Sequence, residues 1–412
     1  MADVENVRNE DQLFVNEDLS DEEASIAEPH VTIRRKFLKS FLDIVQRLPD
    51  RVNDSHCVFF MLDVDEFETE DGKLENRLMV SATDNSSSTM IKMSIPVLNK
   101  THVYDGKPVI LKQSMLQKLD NLLLGDNLTL KFSEDADGHT HVRALVLGGW
   151  LDVPTGNFSE NVFDIPLNSP TWDKELSVSE MQDVLSSLLI VAKAQKNIPN
   201  PNLVFKDGYA FVDDIGGYVR YDCDLFVHRL PLWSAEILSS FLSKTQPKTL
   251  KAFIQNQTKN NYPYVRFVGD QFEFALTRFG TVSVVHEKVP VSSGIKTSLD
   301  SLRRISSIPA VMQDDMRDFF NGHILVSFLE DHGSEELSVT LCGKNNGTKH
   351  IINHEVFGEV RNYFTVCVNA AQLNLLLRSC PSSCCEVIVT ADDSELHISS
   401  GAWSCHLDLI KD

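Results

Sequence analysis

Ile33-Arg34-Arg35-Lys36-Phe37-Leu38-Lys39-Ser40-Phe41-Leu42-Asp43-Ile44-Val45-Gln46-Arg47-Leu48, closed by Pro49, reads as a basic amphipathic helix. At about 100° per residue, Lys39, Ser40, Asp43, Gln46 and Arg47 all fall within roughly 80° of Lys36. Phe37, Leu38, Phe41, Leu42, Ile44, Val45 and Leu48 fall on the other side, so the polar and apolar faces separate completely. From Arg34 to Arg51, six bases (Arg34, Arg35, Lys36, Lys39, Arg47, Arg51) stand against Asp43 and Asp50, a local charge of +4 in a chain of net charge -21. A solvated charged face over a core face accounts for such a helix without any partner. A surface reserved for a polyanion accounts for it too, and the choice depends on the remaining sequence.

The 412 residues are 42% hydrophobic and 24% charged, the composition of a globular protein with room for several full cores. No apolar run approaches the roughly 18 residues of a membrane span. The N-terminal region lacks a basic-then-apolar signal pattern. The expectation is a cytoplasmic protein without a membrane partner. The eight cysteines sit mostly in strand-like apolar runs, which suits reduced, packed thiols rather than a disulfide framework. A charge of -21 argues against a protein that coats nucleic acid with its whole surface. It leaves room for positive charge gathered on one inner face.

Residues 1–29 hold ten acids and one base, Arg8, and read as a disordered acidic tail. After the basic helix come strands around Cys57–Val64, Arg77–Asp84 and Thr89–Leu98, a helix through Met115, Leu119 and Leu122, and three more strands ending at Trp150–Pro154. The same order returns twice. First helices begin near Lys36, Val178 and Leu299, a pitch of domain size and far above the roughly 20–50 residues of solenoid repeats. The unit is helix, three strands, helix, three strands. Links near Phe163–Lys174 and Pro290–Lys296 bound three domains: 30–165, 166–292 and 293–412. Two helices on an antiparallel sheet of about six strands, three times over, is an α+β plan.

No catalytic signature is present: there is no phosphate-binding Gly-rich loop, no His-Glu-x-x-His and no nucleophile elbow. Asp63-Val64-Asp65 opens like a calcium loop but fails at Phe67 and Glu68, where a ligand and a glycine are needed. His139 and His141 flank a hairpin turn and are expected to point to different faces. Cys380, Cys384 and Cys385, with His397, Cys405 and His406, could in principle bind zinc. Cys384 and Cys385 are neighbours that would point opposite ways in a strand, so packed thiols are the better reading. The expectation is therefore no enzyme, no cofactor and no metal. What remains is architecture plus charge. Partly basic outer helix faces recur at Lys36, Lys39 and Arg47, at Lys193 and Lys196, and at Arg303, fitted for sequence-independent, salt-dependent attraction to phosphates.

The order of elements resembles the bacterial-type DNA polymerase sliding clamp over residues 30–412. The residues that carry the resemblance are Leu78-Met79-Val80-Ser81-Ala82-Thr83-Asp84, similar to the family's strand ending in Thr-Asp, then Tyr209-Ala210-Phe211-Val212-Asp213-Asp214-Ile215-Gly216-Gly217-Tyr218, then Tyr363-Phe364-Thr365-Val366-Cys367-Val368-Asn369-Ala370-Ala371-Gln372-Leu373. The resemblance implies a ring formed on oligomerisation, a homodimer of three-domain chains with helices lining a hole for double-stranded DNA. It implies a tether for a polymerase, with no catalysis. Arg34, Arg35, Lys36, Lys39, Arg47, Arg51, Lys193, Lys196 and Arg303 become the expected DNA-facing bases. It further implies a pocket for short peptides of the polymerase and clamp loader at Gly216, Gly217, Tyr218, Val219, Leu407, Asp408 and Leu409. There the sequence departs from the family's His-Arg pair and Met-Pro-Met-like ending, which points to a member from a virus or plasmid. The expected ring interface sets Trp150, Leu151 and Val153 against Ile351 and Ile352. Other readings stay open: a clamp-like phage factor coupling DNA to RNA polymerase, a scaffold that encircles nothing, and an enzyme on the same repeated plan.

Overall fold

The computed structural model describes residues 30–48, 59–68, 74–83, 89–101, 109–123, 125–137, 139–155, 170–195, 201–214, 216–255, 263–277, 293–311, 320–331, 333–343, 347–358 and 363–410. The first domain runs β1 (His30–Arg34), α1 (Arg35–Val45), β2 (Phe59–Glu68), β3 (Leu74–Thr83), β4 (Thr89–Thr101), β5 (Val109–Lys112), α2 (Gln113–Leu122), β6 (Asn127–Glu134), β7 (Thr140–Val146) and β8 (Gly149–Val153). The second repeats it as β9 (Trp172–Leu176), α3 (Val178–Ala194), β10 (Asn202–Lys206), β11 (Tyr209–Asp214), β12 (Gly217–Asp222), β13 (His228–Pro231), α4 (Leu232–Thr245), β14 (Leu250–Gln255), β15 (Tyr264–Gly269) and β16 (Phe272–Thr277). The third has β17 (Gly294–Ser298), α5 (Leu299–Val311), β18 (Phe320–Asp331), β19 (Ser334–Gly343), β20 (Thr348–Ile352), β21 (His354–Phe357), β22 (Phe364–Asn369), α6 (Ala370–Ser379), β23 (Glu386–Ala391), β24 (Glu395–Ser400) and β25 (Trp403–Asp408).

The α+β plan stands, with two corrections to the repeat. A strand precedes each first helix, so Ile33 and Arg34 close β1 rather than open α1. Val31 and Ile33 alternate inward, and the chain turns helical at Arg35 with no turn residue and no side-chain cap. A five-residue strand fused to a helix leaves no punctuation in the sequence. Among the described residues each domain also sets out two groups of four strands rather than one sheet of about six, and in the first domain β1 pairs with β4, so its two groups are hydrogen-bonded to each other. They are β1-β6-β7-β8 and β5-β2-β3-β4 in the first domain, and β9-β14-β15-β16 and β13-β10-β11-β12 in the second. The third has β17-β23-β24-β25, with β21 added on β17, and β22-β18-β19-β20.

The domains join through their sheets by one rule. β4 pairs with β16, setting Ile91 against Phe274 and Met93 against Phe272. β12 pairs with β25, setting Tyr218 against His406 and Val219 against Cys405. The helices obey a matching rule. α1 packs on α2 and α4, α3 on α4 and α6, and α5 on α6, which makes one row in the order α2-α1-α4-α3-α6-α5. Each helix buries its apolar face against the sheets. In α1 this face is Leu38, Phe41, Leu42, Ile44 and Val45, each stabilising by about 1.5–3 kcal/mol.

Candidate nucleic-acid interface

The six helices among the described residues carry nine bases and six acids, net +3, in a chain of net charge -21. The positive charge is thus concentrated on the helix row while the rest of the chain is strongly acidic. Ion pairs show that neighbouring helices present charge to a common face. Arg47, just past α1, lies 3.8 Å from Glu236 of α4, and Lys193 of α3 lies 3.0 Å from the same carboxylate. Lys244 of α4 lies 2.8 Å from Asp43 of α1. A polar groove of about 490 Å³ between α1 and α2 is lined by Lys39, Leu42, Asp43, Gln46, Gln117 and Asp120.

Arg34, Lys36, Lys39, Arg47 and Lys193 are exposed. Arg35 and Arg303 are placed otherwise. Arg35 bonds the Asp120 carboxylate at 2.7 Å and donates to the Asp120 and Leu123 carbonyls at the end of α2. Arg303 donates to the Leu377 and Cys380 carbonyls at the end of α6 at 2.9–3.0 Å. Gln182 does the same work in the second domain, donating to Leu242 O at 3.2 Å. In each repeat a polar side chain of the first helix donates to carbonyls at the C-terminal end of the second. That bond network draws both guanidinium groups towards the protein, away from the role the sequence assigned them. Arg51 and Lys196 lie outside the described residues. The sequence reading missed the exposed bases Lys118, Lys244, Arg304 and Arg378 on the helices. Helical-wheel analysis of each second helix would have flagged Lys118, Lys244 and Arg378.

The expected pocket residues divide into two groups. Val219 and Leu407 are fully buried within the β12–β25 seam, so their side chains are core. Tyr218 is buried with its ring stacked on His406 at 4.2 Å, and burial pushes its hydroxyl well above the ordinary tyrosine range. Gly216, Gly217 and Leu409 are partly accessible and Asp408 is exposed. A Cβ at Gly217 would stand 2.3 Å from the His406 carbonyl oxygen, so only glycine allows this approach.

The two sheet ends differ from the seams. β8 and β20 are terminal strands among the described residues. Trp150, Leu151 and Ile351 are exposed there, Ile351 to 68%, whereas Val153 and Ile352 turn inward and are buried. Leu147 occupies the turn before β8 at φ 51°, with 63% exposure. A left-handed, exposed leucine costs about 1–2 kcal/mol of backbone strain without burying anything in this chain.

His139 and His141, expected on different faces, both reach the Asp135 carboxylate, at 3.5 and 3.1 Å. Hydrogen bonds from the His139 backbone and the His141 ring hold that carboxyl down at about 2. Burial pushes the Cys223 thiol up to about 12 and raises the Cys380 and Cys405 thiols well above the ordinary range, so these cysteines are protonated packing groups.

No family model matches the sequence and no curated protein matches it. Solved structures do. A sliding clamp, the DNA polymerase III beta subunit of Pseudomonas aeruginosa, aligns with TM-score 0.67 and 12% identity over 94% of this chain and 100% of that one. The beta subunit of DNA polymerase from Streptococcus pyogenes gives TM-score 0.66 and 12% identity over 93% and 100%. The DNA polymerase III beta subunit of Thermotoga maritima gives 0.63 and 12% over the same shares. The chain has the fold of these proteins.

Proposed function

We propose that copies of this chain join head to tail into a ring that encloses duplex DNA and tethers a polymerase to it. The observation that carries this reading is the repeated junction rule. Twice within the chain, the second sheet of one domain meets the first sheet of the next, and the first helix of one packs on the second helix of the next. Applied once more, the rule brings β20 and α5 of one copy to β8 and α2 of another, where Ile351, Trp150 and Leu151 are exposed. Exposed hydrophobic edge strands are aggregation-prone unless paired, and this pairing covers both. The neighbouring structures, described as sliding clamps and beta subunits of a DNA polymerase, support the same reading.

The ring is a homodimer and performs no chemistry of its own. Arg34, Lys36, Lys39, Arg47 and Lys193, joined by Lys118, Lys244, Arg304 and Arg378, attract phosphates without reading bases. Glu236 and Asp43 temper that attraction, so the lining centres the duplex and lets it move. The polymerase and the loader dock through short peptides at the rim formed by Gly216, Gly217, Asp408 and Leu409.

Sedimentation measures the assembly: two chains are expected. Once loaded, the protein stays on nicked circular DNA and leaves when the circle is cut, and equal loss from intact and cut circles would sink the reading. Trp150→Glu reduces the assembly to single chains with unchanged far-UV circular dichroism. An unchanged mass would displace Trp150 from the interface.

A further inference from the structure

β24 and β25 pair His397 directly with His406, so both imidazoles leave the sheet on one face. Their Nδ1 atoms are 2.5 Å apart and their side chains are 7% and 3% exposed. Glu395 Oε2 stands 3.3 Å from His406 Nδ1 and 3.7 Å from His397 Nδ1. On the far side of the His397 ring, Nε2 lies 3.0 Å from Asp392 Oδ2. The other Asp392 oxygen accepts from the Ser394 and Glu395 backbone amides and the Ser394 hydroxyl.

The protonation pattern follows from these contacts. His397 Nε2 lies in hydrogen-bond reach of Asp392 Oδ2, whose companion oxygen is taken up by the Ser394–Glu395 turn, so His397 donates Nε2–H there and keeps its lone pair on Nδ1. That lone pair faces His406 Nδ1, with the Glu395 carboxylate converging on the same space. Three electron-rich atoms brought together in a water-poor site repel one another unless a proton or a cation lies among them. A shared proton links these atoms in pairs, whereas a divalent cation binds all three at once.

We propose that Glu395, His397 and His406 bind one zinc-class divalent cation, with Asp392 holding His397 in the ligating orientation. Two imidazoles and one carboxylate suit zinc and its neighbours, while calcium and magnesium need oxygen ligands. Ligands bound tetrahedrally at about 2.0–2.1 Å stand about 3.3 Å from one another. The three observed separations of 2.5, 3.3 and 3.7 Å bracket that value. A carboxylate behind a ligating histidine is the common orienting arrangement at such sites. The ion would also fix the His406 ring on which Tyr218 of the second domain stacks, so it would stiffen the seam between the second and third domains. The proposal does not depend on ring formation.

The test uses the full chain, stripped with a chelator and dialysed against zinc chloride. One zinc per chain is expected above the count for the His397→Gln, His406→Gln double variant. Cobalt in place of zinc gives the intense visible absorption of a tetrahedral site. Asp392→Asn weakens zinc binding by about 10- to 100-fold. Glu395→Gln, whose side chain is partly exposed and keeps its shape, guards against a histidine variant that fails to fold, and lowers zinc affinity at least as much as Asp392→Asn. Equal zinc counts in the parent and the double variant, a missing cobalt spectrum, or a folded Glu395→Gln protein with unchanged affinity would each show a proton-sharing pair and overturn the proposal.

Discussion

The two seams inside the chain share a backbone rule and differ in chemistry. At the first, β4 meets β16 through Ile91 with Phe274 and Met93 with Phe272, and Phe272 stacks on Phe241 of α4 at 4.6 Å. At the second, β12 meets β25 with Gly217 pressed on a carbonyl and Tyr218 stacked on His406. A buried Arg220 lies 3.8 Å over the Tyr209 ring nearby and pairs with Asp222 at 3.0 Å. The first seam is held by apolar volume and the second by close approach and paired polar groups. Register fixes how the domains meet, and the side chains on it are free to diverge. A histidine and a close-packed glycine therefore stand at one seam without altering the architecture.

Phe274→Ala should hurt most. It removes a fully buried ring from the apolar seam and should cost about 3–5 kcal/mol, read as a lower urea midpoint with unchanged slope. Gly217→Ala should cost about 1–3 kcal/mol, because the new Cβ forces β12 and β25 apart. Faster hydrogen exchange should appear at the Tyr218–Tyr221 amides and not along β16. Exchange rising equally at both seams would show that they open as one unit. Glu236→Gln should change stability by less than about 1 kcal/mol, since its partners are largely exposed. It should free Arg47 and Lys193, tightening DNA binding and steepening its salt dependence by about one phosphate contact. The smallest effect belongs to Asp270, beside the first seam. Burial would raise its carboxyl, but bonds from the Thr249 hydroxyl and the Lys248 amide hold it below the ordinary value. Its contribution is complete above the unfolded value of 3.8 and fades as pH falls through the lower folded value. Asp270→Asn should flatten that part of the acid limb, measured by thermal unfolding between about pH 2 and 5.

Much of the fold was legible because each helix repeats its apolar face at helical spacing and each repeat has domain length. α3 and α5 begin at their expected starts, Val178 and Leu299. The strand fused to α1 was not legible, since β1 runs into the helix with no turn residue and no side-chain cap to mark the junction. The division into two sheets per domain is set by long-range pairing, which alternation in one strand cannot encode. Charge on the helices was legible, but its use was not. Arg303 and Lys193 look alike in sequence, and only the proximity of α6 turns one of them onto carbonyls. Val219 and Leu407 were drawn into the expected pocket by position, and burial removes them. His397 and His406 were grouped with cysteines, but strand alternation puts Cys405 and His406 on opposite faces.

In the proposed ring, the open ends at β8 and β20 would make one seam unlike the other two. Seams within the chain re-form as fast as a tethered encounter allows, whatever the protein concentration. A seam between copies depends on concentration, and a ring of two copies has two of them. When one parts, the other still tethers both chains, so reclosure is intramolecular, with an effective concentration of about millimolar order. The strained, exposed Leu147, at the hairpin tip beside Trp150, would sit at that seam. Such a ring can gape at one point and shut again without coming apart, and diluting the protein would lengthen its life in pieces far more than its life ajar.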